Sequence, residues 1–117
     1  KLLDAAVQSC EEARGHILAK DPSAKGISIG RAIAILGELE ATLRHDAAPE
    51  LASQLASLYQ FARDRLLSAS INMDAGAVDD ALKAIRPIRD AYSQVVRQLE
   101  RRSEQPNPTG GFKAQVE

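Results

Sequence analysis

The chain has 117 residues, 44% of them hydrophobic and 26% charged, which suits one domain with its own core and excludes a wholly disordered protein. A formal net charge of −1 offers no general attraction to phosphates or anionic lipid, so neither nucleic acid nor a membrane surface is a predicted partner. The single cysteine, Cys10, excludes an intramolecular disulfide and favours a buried thiol in a reducing compartment, and no apolar run approaches the roughly 18 residues of a membrane span; a cytosolic protein without membrane insertion is expected.

The first half of the chain predicts two helices. Apolar residues spaced by three and four predict a first helix over about residues 1–20: Leu2, Ala6, Cys10, Ala13 and Ile17. The segment Asp21-Pro22-Ser23 is expected to interrupt it, because proline cannot continue the helical hydrogen bonds. A second amphipathic helix is predicted over about residues 28–44, where Gly30 and Gly37 are expected to permit close helix contact.

The second half predicts two further helices and a tail. Pro49 suits the first turn of a helix, and the apolar stripe that follows predicts a third helix over about residues 49–73. A fourth helix is predicted over about residues 77–102, with a kink at Pro87. Residues 103–117 carry two prolines and two adjacent glycines without apolar period, which predicts a flexible tail. The pattern therefore predicts an all-α fold, an antiparallel up-down four-helix bundle over residues 1–102.

Groups that could support catalysis are few. His16 lies on a different side of the first helix from Cys10, so a Cys-His nucleophilic pair is not expected. The neighbouring carboxylates at 11–12 and 79–80 point in different directions on their helices and are interpreted as solvated charge. No catalytic residue, metal ligand or cofactor site is predicted, and the chain is not expected to be an enzyme. A signalling or histidine phosphotransfer module, with His45 or His16 as the acceptor, is the alternative function.

Apolar residues extend beyond the stripe that one core needs. Two interpretations are open: single exposed apolar residues that are normal or cover a further segment, or a groove that receives an amphipathic partner helix. The candidate groove residues are Leu3, Val7, Leu18, Ile35, Phe61, Leu67 and Ile71.

Several residue strings resemble one known family. Leu58-Tyr59-Gln60-Phe61-Ala62-Arg63-Asp64-Arg65-Leu66-Leu67-Ser68-Ala69 is similar to the signature of the flagellin export chaperones of the FliS family, in which Leu-Tyr precedes an aromatic residue and then Arg-Leu-Leu. Ser28-Ile29-Gly30-Arg31-Ala32-Ile33 resembles the family's Ser-Lys-Ala-Ile segment, with Arg31 in place of lysine. Ser70 and Tyr92 depart from the family's usual Asn and Trp. The family's tyrosine-containing N-terminal segment, which caps its binding groove, is missing here.

The resemblance implies a function in protein export. It implies a cytosolic chaperone of bacterial flagellum biogenesis that binds the C-terminal helical region of flagellin and prevents its premature polymerisation. It further implies help in delivering flagellin to the type III export gate, a component of which is then a second partner. Recognition would be apolar, with a partner helix lying in a groove of the bundle.

Overall fold

Four α-helices make up the fold. The structure is a computed structural model that describes residues 1–104, and these form α1 (Leu2–Leu18), α2 (Pro22–Ala41), α3 (Pro49–Asn72) and α4 (Ala75–Glu104) without any strand. The predicted all-α class and four-helix bundle are confirmed. Most of the predicted tail, residues 105–117, lies outside the described residues, whereas Ser103 and Glu104 belong to α4.

Each helix packs against two others. Helices α1 and α3 each contact both α2 and α4. Two ion pairs give the direction of α1 relative to α4: Arg14 Nε lies 2.8 Å from Asp79 Oδ1, and Arg89 Nη1 lies 3.7 Å from Asp4 Oδ1. Residue numbers rise along α1 while they fall along α4, so these two helices are antiparallel. The up-down order of the whole bundle stays a prediction.

The second helix begins earlier than predicted. Pro22 occupies its first turn, where the missing N–H costs nothing because that group has no helical partner. Asp21 is the N-cap, and its Oδ1 accepts a hydrogen bond from the Ala24 N–H at 3.2 Å. The Asp-Pro pair thus starts α2 directly after a short turn, and the predicted start near Ser28 is wrong.

Small and aliphatic side chains form the core. The largest fully buried ones include Leu36, Leu66, Leu82 and Ile85, surrounded by buried alanines from all four helices. The prediction that Cys10 is buried is confirmed. A core without tryptophan depends on close packing of many small contacts.

The glycines of α2 do not serve the core. A Cβ atom built on Gly30 or Gly37 would meet no atom within 4 Å. The expectation that they permit close helix contact inside the bundle is therefore wrong, because both positions border open space. Glycine inside a helix costs up to about 1 kcal/mol relative to alanine.

Candidate functional site

The adjacent carboxylates connect helices to one another. Each of the four carries an arginine partner from another helix, and the two members of each sequence pair face different helices. The interpretation as simply solvated charge is thereby refined to partly exposed interhelical ion pairs. The ion pairs are Glu11–Arg86 at 2.8 Å, Glu12–Arg31 at 3.5 Å, Asp79–Arg14 at 2.8 Å and Asp80–Arg65 at 3.1 Å.

The cysteine and histidines stand apart from one another. Burial raises the pKa of the Cys10 thiol to about 12, with the neighbouring Glu11 carboxylate adding to the effect. His45 lies in the turn between α2 and α3, whereas phosphotransfer domains place the acceptor within a helix. Within residues 1–104 no group of three or more His, Cys, Asp or Glu side chains could hold a metal ion.

Four of the seven predicted groove residues are exposed on the bundle surface. Their exposed fractions are 60% for Leu18, 46% for Phe61, 51% for Leu67 and 78% for Ile71. Large aliphatic side chains at these exposures leave apolar area in water that a partner could cover. Their participation in binding stays a prediction.

The other three predicted groove residues belong to the bundle interior or its margin. Leu3 and Val7 are buried in the core, with 8% and 3% of their surface exposed. They were predicted to lie beyond the core stripe, but α1 packs against both α2 and α4, and two neighbours bury a wider stripe than one. Ile35 is partly buried and packs against the same core.

One exposed apolar surface lies where α2 begins and α3 ends. The Lys25 Nζ donates hydrogen bonds to the Ser70 carbonyl at 2.9 Å and to the Ser70 hydroxyl at 3.3 Å, which fixes the start of α2 beside the end of α3. Exposed side chains follow directly on both helices: Ile27 on α2, with 64% of its surface exposed, and Leu67 and Ile71 on α3. We refer to Ile27, Leu67 and Ile71 as the outer patch.

A second apolar surface lies at the opposite end of the bundle. The Asp4–Arg89 pair places the start of α1 opposite Arg89, so α4 continues for several turns beyond the first residue of α1. Antiparallel packing, shown by the Arg65–Asp80 pair, brings the start of α3 beside this part of α4. We define the open-end patch as five side chains with 38% to 57% of their surface exposed: Leu51, Leu58, Tyr92, Val95 and Leu99.

Sequence reasoning missed the open-end patch because its members continue the apolar stripes of α3 and α4. They were therefore assigned to the core. The available signal was helix length: α1 has 17 residues and α4 has 30. A helix this much longer than its neighbour must leave part of its stripe uncovered.

A pocket opens beside this patch. It has a volume of about 790 Å³ and lies among the start of α1, the end of α2 and the second half of α4. Tyr59 contributes a buried side chain to its lining, and burial raises the pKa of that phenol. The apolar side chains that line it are Leu2, Leu3, Leu39, Leu43, Tyr59, Tyr92 and Val96. This size falls within the range of pockets that hold ligands.

These features define a class of protein. A helical bundle with apolar side chains exposed on adjacent helices, and with arginine pairs satisfying the carboxylates that would otherwise suggest chemistry, is a binding module for apolar or helical segments. The family model for the flagellar protein FliS matches residues 1–99, and the chain belongs to the FliS family.

Relatives with assigned roles agree with this membership. The chain is 28% identical over 94 residues to the flagellar secretion chaperone FliSB of Pseudomonas aeruginosa, an alignment that covers 80% of this chain and 75% of the relative. It is 32% identical over 95 residues to the flagellar secretion chaperone FliS of Salmonella typhimurium, covering 80% of this chain and 70% of that protein. The family supports an export chaperone role. None of the helices in residues 1–104 is long and apolar enough to cross a membrane.

Proposed function

We propose that this chain is a chaperone of the bacterial cytosol that binds the C-terminal helical region of flagellin. Binding would prevent premature polymerisation and aid delivery to the flagellar type III export gate. Family membership supports the chaperone role, and the exposed apolar side chains support binding of an apolar segment. No catalytic step is part of this function.

The outer patch is the observation that carries the proposal. Ile71 has 78% of its surface exposed and Leu67 has 51%, and four residues separate them on one helix. This spacing places both side chains on the same side of α3, next to Ile27 of the adjoining helix. An amphipathic partner helix that lay along this surface could cover all three.

The forces available to such a complex are mainly apolar. A net charge of −1 provides little long-range attraction. Burial of apolar surface contributes about 25 cal/mol per Å², and this contribution must exceed the cost of ordering a segment that is disordered when free. A large apolar contact area is therefore required, which agrees with exposed side chains at both ends of the bundle.

The experiment that tests the proposal is a titration of this chain with the C-terminal helical region of flagellin from the same bacterium. Ile71→Asp should weaken binding at least about tenfold, because an aspartate there loses the apolar contact and must be desolvated. Leu67→Asp should act in the same direction. Helical circular dichroism and the unfolding midpoint should stay unchanged, because both residues are exposed.

Gln94→Asp is the matched control. It adds the same single negative charge at an exposed position on α4 and removes no large apolar side chain. If Ile71→Asp and Leu67→Asp weakened binding no more than Gln94→Asp, the outer patch would not contact flagellin. An unrelated amphipathic helix should show no saturable binding, which separates specific recognition from general adhesion.

Delivery to the export gate requires a separate measurement. In cells that lack the natural chaperone, a plasmid copy of the natural protein should restore secretion of flagellin, and its Ile71→Asp variant should restore less. Equal secretion by both, despite a measured loss of affinity, would contradict the coupling of this binding surface to export.

A further inference from the structure

The pocket at the open end presents apolar side chains to water. Leu2 has 41% of its surface exposed and Tyr92 has 56%, although both line the pocket. Within residues 1–104 no side chain fills its volume of about 790 Å³. Apolar area in a concave surface favours an occupant more than the same area on a convex surface, because a single side chain can be covered on several sides.

The chain itself supplies a candidate occupant shortly after α4. Residues 105–117 contain one aromatic side chain, Phe112, set among polar and small residues. Pro106 cannot continue a helix and disfavours helical angles at the residue before it. Gly110 and Gly111 allow backbone angles that a tight reversal requires. This sequence combines a stop, a turn and an apolar anchor.

The distances permit such a reversal. Val96 lines the pocket and α4 ends at Glu104, eight residues later, which is about 12 Å of helix at 1.5 Å per residue. The eight residues from 105 to 112 span up to about 26 Å when extended. The segment is therefore long enough to return from the end of α4 to the pocket with length to spare.

We propose that residues 105–112 turn back along α4 and place the Phe112 side chain in the pocket, against Tyr92 and Val96. The contact is intramolecular, so the short link gives Phe112 an effective concentration in the millimolar range and a modest apolar contact suffices to hold it. A partner segment that used the same pocket would first displace Phe112. The proposal does not depend on flagellin being the partner.

The absence of tryptophan from the chain makes the contact measurable. Phe112→Trp introduces a single indole at the proposed anchor, and Asn107→Trp introduces one in the link as the matched control. Acrylamide should quench the Phe112→Trp variant with a roughly threefold smaller constant than the control, because an indole in an apolar pocket is shielded from solvent. Its emission maximum should also lie at a shorter wavelength.

A second substitution tests the location of the contact. Val96→Asp in the Phe112→Trp background should raise the quenching constant to the control value, with circular dichroism confirming that the bundle remains folded. If the two tryptophan variants were quenched equally, or if Val96→Asp had no effect, the proposal would be overturned. Shielding that appeared only at high protein concentration would place the anchor in a second copy and would equally overturn it.

The natural protein provides the last comparison. The Phe112→Trp measurement should be repeated with any residues that precede Lys1 in the natural chain. Retained shielding supports Phe112 as the occupant. Loss of shielding would show that the preceding segment fills the pocket instead, and the proposal would then be wrong.

Discussion

Burial determines the chemistry of the one thiol. Removal of Cys10 from water disfavours the thiolate and raises its pKa to about 12, from an ordinary value of 9.0. At pH 8 only about one molecule in ten thousand then carries the reactive thiolate. A side chain that the sequence offers as a potential nucleophile is therefore a small core residue.

The same shift predicts how stability depends on pH. Because the pKa is raised in the folded protein, the contribution to stability is complete below about pH 9 and is lost as pH rises toward 12. The free energy of unfolding should therefore fall in this interval, with a slope of up to about 1.4 kcal/mol per pH unit from this group. Urea unfolding at several pH values measures it.

Cys10→Ala is the control for this prediction. The variant should show a shallower alkaline decline, and the remaining slope should come in part from Tyr59, whose pKa burial also raises. An equally steep decline in the variant would show that Cys10 does not titrate in this interval. Thiol reagents should label the natural chain only after denaturation.

At the scale of helices, apolar periodicity predicted what packing against neighbours requires. The third helix was predicted at 49–73 and runs over Pro49–Asn72. The start of α2 was missed because Pro22 is compatible with two local structures, an interruption or a first helical turn. The preceding Asp21, which caps α2, distinguishes them and could have been used.

The cap of α2 leads to a prediction about stability. Asp21→Ala removes the acceptor for the Ala24 N–H and should lower the free energy of unfolding by about 1 kcal/mol. Asp46→Ala, in the exposed turn between α2 and α3, should change it by less than about 0.5 kcal/mol. Urea unfolding with an unchanged m-value measures both. Equal effects of the two substitutions would show that the cap contributes nothing specific.

Helix α4 should be uneven in its stability along its length. Residues 77, 78, 81, 82 and 85 are buried, whereas Tyr92, Val95 and Leu99 are more than half exposed. Pro87 also removes the N–H that would bond to the Lys83 carbonyl. Amides near Ile85 should exchange with solvent only on global unfolding, and those of residues 92–99 should exchange at least about a hundredfold faster. Uniform protection along α4 would contradict this prediction.

At the scale of the whole molecule, the candidate site was predictable only in part. Leu67 and Ile71 were selected because they lie opposite the core face of α3, and the structure exposes both. Leu3 was selected although two neighbouring helices cover it, while Tyr92 was assigned to the core although α1 ends before reaching it. Periodicity identifies the apolar side of a helix but not the number or length of the helices that cover it.

The two apolar patches lie at opposite ends of the bundle, which leads to a prediction about how a partner uses them. Leu58 belongs to the open-end patch and Ile71 to the outer patch, and the 13 residues between them on α3 correspond to about 20 Å. Sites this far apart should act independently. If flagellin contacts both, Leu58→Asp and Ile71→Asp should each weaken binding, and their free-energy effects should add within about 0.5 kcal/mol in the double variant.

A shortened flagellin segment distinguishes contact at both ends from contact at one. A segment too short to span about 20 Å should lose affinity for the natural chain and should respond to only one of the two substitutions. Isothermal titration of the four chain variants with long and short segments measures both effects. A long segment that responded to Ile71→Asp but not to Leu58→Asp would restrict the partner to the outer patch. The open-end patch and its pocket would then remain available to Phe112 while the partner is bound.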